Sequence, residues 1–174
     1  MKYKSGAAFR RALEDRLRRE SFQSGTPLVR MRKMIAFDRF LARLLHDQPD
    51  KWIIKGGLAL QLRLGNRART TKDIDLLMLV RVDEIYPRLR EAGALDLADW
   101  FSFEVANAIQ STTDDFGGTR YQLQSFLDGR TFESFHLDVG IGDSLVDPVE
   151  YLQTTNLLEF AGFSPTVVPC YPIT

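Results

Sequence analysis

At 174 residues, 44% apolar and 26% charged, the chain has the size and composition of one globular domain with a sizeable core. No apolar run approaches membrane-spanning length, MKYKSGAAFRRAL lacks the apolar core of a secretory leader, and the lone Cys170 excludes an internal disulfide or cysteine metal cluster, so a cytoplasmic protein without a membrane span is expected. The net charge of zero hides an asymmetry: residues 1–46 hold twelve Lys/Arg against four Asp/Glu, and residues 47–174 hold eleven against nineteen. Such a basic segment either neutralises nucleic-acid phosphates through residues such as Arg10, Arg11, Arg18 and Arg19, or is the solvated face of helices lying against an acidic body.

In chain order, Phe9, Leu13 and Leu17 recur every fourth residue and predict an amphipathic helix over 7–21. Ser24-Gly25-Thr26-Pro27 breaks it, with Thr26 as cap and Pro27 as first residue of a second helix reaching about His46. Trp52-Ile53-Ile54 predicts a short strand. In Leu58–Leu64 the leucines alternate as in a strand, but Ala, Leu, Gln and Arg are good helix formers and Gly65-Asn66 is a natural stop, so a helix is preferred. The apolar run Leu76–Val80 predicts a buried strand, with Asp73 and Asp75 at its start on one face. Asp83 is expected to cap a helix ending near Gly93. Strands follow over 100–105, 120–127 and 132–141, the first two joined by a hairpin loop at 114–118 and the last closing the sheet. The expected organisation is a single domain over 1–174, with a helical segment at 1–50, a catalytic sheet core at 51–146 and an irregular tail at 147–174.

Two sets of residues carry chemistry. Asp73 and Asp75 repel each other, by roughly 4 kcal/mol for charges about 4 Å apart at an effective dielectric near 20. A shared proton, a basic side chain or a metal cation must offset this, and hard oxygen donors favour Mg²⁺. Gly56 and Gly57 let backbone N–H groups approach a phosphate, with a helix N-terminus behind them. Asp138 shares a strand face with His136, whereas Glu133, Phe135, Leu137 and Val139 share the other. Lys55 and Arg69 are either triphosphate contacts or solvated loop charges. His136 has no second histidine nearby to suggest zinc, and Trp52 and Trp100 are expected in the core.

In order, Gly-Gly, a spacer and Asp-x-Asp resemble the nucleotidyltransferase superfamily typified by DNA polymerase β. Lys55-Gly56-Gly57, Arg69-Thr70 before Asp73-Ile74-Asp75, His136-Leu137-Asp138-Val139 and Gly142-Asp143 look like the AbiEii toxin family of type IV toxin–antitoxin systems, which includes the MenT toxins. The resemblance runs from about Phe9 to the last residue. It implies an α/β (α+β) minimal nucleotidyltransferase fold, a mixed sheet flanked by helices and preceded by two N-terminal helices. It also implies an NTP substrate, Mg²⁺ (two ions) held by Asp73, Asp75 and Asp138, a nucleotide site at Lys55, Gly56, Gly57, Arg69 and Thr70, tRNA as acceptor and a cognate antitoxin. The rivals are transfer to a small molecule or protein, and a module that binds nucleotide or RNA without turnover. By the same resemblance the chain looks like the N-terminal part of a family member, stopping before a helical C-terminal half.

Overall fold

The computed structural model describes residues 2–46, 48–109, 118–141 and 148–173. Its frame is a seven-stranded mixed sheet ordered β3-β4-β5-β2-β1-β7-β6, with β1 at Trp52–Lys55, β2 at Ile74–Met78, β3 at Phe101–Val105, β4 at Thr119–Leu127, β5 at Arg130–Ile141, β6 at Glu150–Gln153 and β7 at Val167–Cys170. The described α-helices are α1 (Gly6–Ser24), α2 (Leu28–His46), α3 (Gly56–Leu64) and α4 (Ile85–Ala94). This is the expected mixed α/β architecture.

Side-chain alternation divides the sheet into two unlike faces. Ile54, Leu76, Val139, Leu137, Tyr121 and Phe135 are buried on one face. Phe37 and Phe40 of α2 pack there on Phe135, with ring centroids 5.1 and 6.2 Å away. Phe9 of α1 joins Trp100 and Phe101 at 5.8 and 6.3 Å, so Trp100 and the buried Trp52 belong to the core, as expected. The other face carries the polar alternates of the same strands, and the candidate site lies on it.

Two devices set the register between β4 and β5. Asp128 and Gly129 both have positive φ, 54° and 73°, the conformation of a two-residue hairpin turn whose twist matches its strands. Further along, Phe126 faces Thr131 but Ser125 faces Glu133, so Phe132 is an extra residue in β5. Ser125 Oγ holds this bulge, donating to the Glu133 carbonyl at 2.6 Å and accepting from its N–H at 3.0 Å.

Several expectations need correction. The tail is not irregular, and β5 is not the last strand. β6 and β7 pair antiparallel, and β7 runs parallel to β1 through Ile54 and Cys170. Pro169 is tolerated because Cys170 supplies the one register pair with β1, and Tyr171 N–H bonds the Ile54 carbonyl at 2.7 Å. Pro27 precedes α2 and accepts from the N–H groups of Arg30 and Met31, the role expected of Thr26. Asp83 lies inside a 3-10 turn, Val82–Glu84, and makes no side-chain cap to α4. Asp73 sits one residue ahead of β2, which ends at Met78 and leaves Leu79 exposed. The expected hairpin loop at 114–118 falls outside the described residues except for Gly118, as does Gly142-Asp143.

The basic segment is divided in its use. Arg10 donates to the carbonyls of Leu127, Arg130 and Thr131 at 2.8–3.2 Å, which binds α1 to the β4–β5 turn. Arg32 pairs with Glu14, and Arg16 lies over the Phe160 ring. Arg11, Arg18 and Arg19 are exposed.

Candidate active site

The strand registers place four charged residues in one row across the polar face. Lys55 of β1 is opposite Asp75 of β2, Asp75 is beside Asp138 of β5, and Asp138 is opposite Arg120 of β4. The row reads plus, minus, minus, plus. Asp73 lies just before β2, where its Oδ1 accepts the His136 N–H at 2.9 Å and stands 3.3 Å from His136 Nδ1. The structure therefore brings together Lys55, Asp75 and Asp138, with Asp73 one step along the strand.

The turn from β1 into α3 is built around Asp75. Gly56 has φ +65°, and a Cβ placed there would lie 2.2 Å from Asp75 Oδ2. Only glycine meets both demands, the left-handed backbone and the close carboxylate. Gly57 N–H donates to Asp75, so the glycine pair cradles this carboxylate. A Cβ on Gly140 would come 2.7 Å from Lys55 Nζ, so a missing side chain in β5 makes room for the ammonium. Gly56→Ala should drive Asp75 out of place and abolish metal-dependent nucleotide binding. Its melting temperature should also fall, since strain at a positive φ costs roughly 1–3 kcal/mol. Isothermal titration with Mg-nucleotide checks the first effect and calorimetry the second; unchanged binding would show that the carboxylate has freedom to move.

Electrostatics record the crowding. Burial pushes the Asp75 carboxyl above its ordinary value and the Asp138 charge pushes it further, with a smaller push from Asp73; Lys55 and the Gly57 N–H pull the other way but do not cancel the rise. Asp138 is held differently. Arg120 Nε and Nη2 reach its two oxygens at 2.7 and 2.9 Å. The hydrogen bonds to Asp138, and then its charge, raise the Arg120 guanidinium above its ordinary value in return.

Arg69 and Thr70 are not drawn into the row. Both are exposed on the loop before β2 and make no hydrogen bond or ion pair among the described residues. The loop itself is anchored nearby: Thr71 N–H donates to Gln61 Oε1 at 3.2 Å, Thr71 Oγ1 to the Asp73 carbonyl at 2.8 Å, and Lys33 Nζ to the Lys72 carbonyl at 3.4 Å. Arg120 is the residue sequence reasoning missed.

The donors suit a divalent cation by their chemistry. They are hard carboxylate oxygens, two of them in register neighbours, and Asp75, raised first by burial and then by the Asp138 charge, stands where a cation would relieve the repulsion. Among the described residues no three such groups already converge on one cation-sized point.

Residues 39–174 match the family described as nucleotidyl transferase AbiEii toxin, type IV toxin–antitoxin system. The chain belongs to the AbiEii family. Among solved structures it is similar to MenT4, a nucleotidyltransferase toxin of Mycobacterium tuberculosis H37Rv, at 24% identity and a TM-score of 0.63. That match covers 91% of this chain but 54% of MenT4, so the chain spans about half the length of that relative. A candidate nucleotidyltransferase from H. pylori is similar at 16% identity and a TM-score of 0.44, covering 80% of this chain and 52% of that one. No curated protein sequence matches significantly. The AbiEii assignment makes this chain a member of a nucleotidyltransferase toxin family, and the MenT4 likeness shows a shared fold. Among the described residues no helix is long and apolar enough to cross a membrane.

Proposed function

We propose that the chain is the nucleotide- and metal-binding part of a toxin that transfers a nucleotide from an NTP to an acceptor hydroxyl, the 3′ end of a tRNA. The observation that carries this reading is the in-register pairing of Asp75 with Asp138 behind the Gly56-Gly57 turn, in a chain of the AbiEii family. The acceptor oxygen forms a bond to the α-phosphorus, the α–β phosphoanhydride bond breaks, and pyrophosphate leaves.

Asp73, Asp75 and Asp138 would hold Mg²⁺. Bound there, the metal neutralises triphosphate charge and lowers the pKa of the attacking hydroxyl. The protein's own contribution is chiefly positioning. Gly56 and Gly57 keep the approach to Asp75 clear of side chains. Lys55, above Gly140, adds positive charge at the β1 end of the row, and Arg69 and Thr70 reach the triphosphate from the loop before β2. Asp138 takes the acceptor proton on a carboxylate oxygen. Arg11, Arg18 and Arg19 are open to RNA phosphates, and a cognate antitoxin is the partner in a cytoplasmic pair. The 1–174 unit works as one nucleotidyltransferase domain.

Incubating this chain, and a longer version where its reading frame continues, with α-labelled NTP, Mg²⁺ and total tRNA tests the reading. Label on tRNA that grows in the longer version is expected, with weak transfer by the 174-residue chain. Label on a small molecule or on protein would move the acceptor elsewhere. Nucleotide binding without transfer in both versions would make the chain a binding module, and equal turnover by the two would show that the 174 residues suffice.

A further inference from the structure

Arg120 has no place in the reaction as written, yet it is the residue that engages Asp138 most closely. Both carboxylate oxygens accept from its guanidinium, at 2.7 and 2.9 Å, and the two side chains are 43% and 33% exposed. We infer that Arg120 is a resident counter-cation, which a divalent metal must displace from Asp138 before that carboxylate can join the metal site. The inference rests on the carboxylate reading of the site given above.

Three observations support it. The row from Lys55 to Arg120 has two positive and two negative charges, and counting the neighbouring Asp73 the site is within one charge of balance before any metal arrives. A divalent ion gives the same row an excess of positive charge, which favours release of the one cation that lies on Asp138. The pair is also open to solvent, and exposed ion pairs are weak enough to exchange without unfolding their strands. Finally, a static structural role would be redundant. The β4–β5 register is already set by a ladder running from Thr119–Val139 to Leu127–Arg130 and by the bulge that Ser125 holds. The guanidinium fork fits phosphate oxygens as well as carboxylate oxygens, so Arg120 released beside the row faces the triphosphate. It is a positioning residue that acts through Asp138.

Titrating the full chain with Mn²⁺ alone, and following free Mn²⁺ by electron paramagnetic resonance, tests this without turnover. Arg120→Gln should bind Mn²⁺ at least about threefold tighter than the parent, since its competitor is gone, and Arg120→Lys, which keeps the charge but loses the fork, should fall between them. A merely structural residue would leave Mn²⁺ affinity unchanged or weaken it, and either result overturns the proposal. If Arg120→Gln does not fold, Arg120→Lys decides: binding no tighter than the parent overturns it. Asp75→Asn separates the two readings. If that variant binds Mn²⁺ like the parent, the carboxylate site itself is wrong. If it loses binding while the Arg120 variants stay at parental affinity, only the inference about Arg120 fails.

Discussion

Asp75→Asn is expected to lower nucleotide transfer about 100-fold or more, the scale on which removal of a preorganised charge-stabilising group acts, while raising the melting temperature of the metal-free protein. The first effect follows from position, because Asp75 is the member of the row that lies beside Asp138 and accepts the Gly57 N–H. The second follows from the sign of its pKa shift. A carboxyl raised by folding binds more protons in the native than in the unfolded state between its ordinary value and its raised one. Stability therefore falls as pH rises through that window, and at neutral pH the ionised group works against the fold. Asparagine removes that cost and still offers an oxygen to Gly57. Added Mg²⁺ should stabilise the parent and leave the variant unmoved. Thermal melts from pH 4 to pH 8, with and without EDTA, check this alongside a transfer assay. A variant that melts below the parent at pH 8 in EDTA would mean that the Gly57 contact outweighs the repulsion.

How much of this could be read beforehand depends on whether the signal is local. The shared face of Asp75 and Asp138 was legible because strand alternation settles faces, and an apolar run settles strands. The segment Leu58–Leu64 shows a limit of period counting. Its leucines alternate, but the helix buries Leu58, Ala59 and Gln61 and exposes Leu60 and Leu64. Helix propensity was the better guide there because the alternation has no partner strand behind it. β6 and β7 were missed because three prolines obscured the pattern and parallel pairing with β1 is a non-local event. The Asp128-Gly129 pair, by contrast, was a strong local hairpin signal that went unused.

Arg120 could not have been assigned to Asp138 by counting from that turn. Leu127 pairs with Arg130, so an uninterrupted ladder would bring Arg120 opposite Leu137. That register would set the two strands' face patterns against each other, matching a basic residue to a buried apolar one. The extra residue Phe132 shifts the pairing by one and brings Arg120 opposite Asp138. Bulges depend on packing around a single residue, here the Phe132–Phe101 contact at 5.4 Å and the Ser125 hydroxyl, and neither is visible in a hydrophobic pattern. A candidate site built on sequence alone therefore contained the carboxylates and one flanking cation, and lacked the other.

The largest stability effect should come from a residue far from that row. Arg43 of α2 is fully buried, as is Asp99, and the two form a bidentate pair at 2.6 and 2.9 Å. Arg43 also donates to the carbonyls of Arg39, Leu95 and Phe101 at 2.7–3.0 Å, and Asp99 accepts the Phe101 N–H at 3.0 Å. These bonds hold a turn in which Ala98 and Trp100 both have positive φ, 55° and 59°, a conformation that side chains disfavour. Arg43→Ala removes that support and leaves the Asp99 charge buried, with Arg39 at 3.4 Å as its remaining cation. Breaking a buried pair on one side costs about 3–5 kcal/mol, a large part of the 5–15 kcal/mol that ordinary domains have. Urea denaturation should show that loss, and Arg43→Met combined with Asp99→Asn should recover part of it because no charge is then stranded. Because the turn leads into β3, at the sheet edge and outside the charged row, Arg43→Ala should bind Mn²⁺ like the parent at temperatures where it remains folded. A loss below about 1 kcal/mol would mean that Arg39 or water replaces the missing guanidinium, and that the strained turn holds without it.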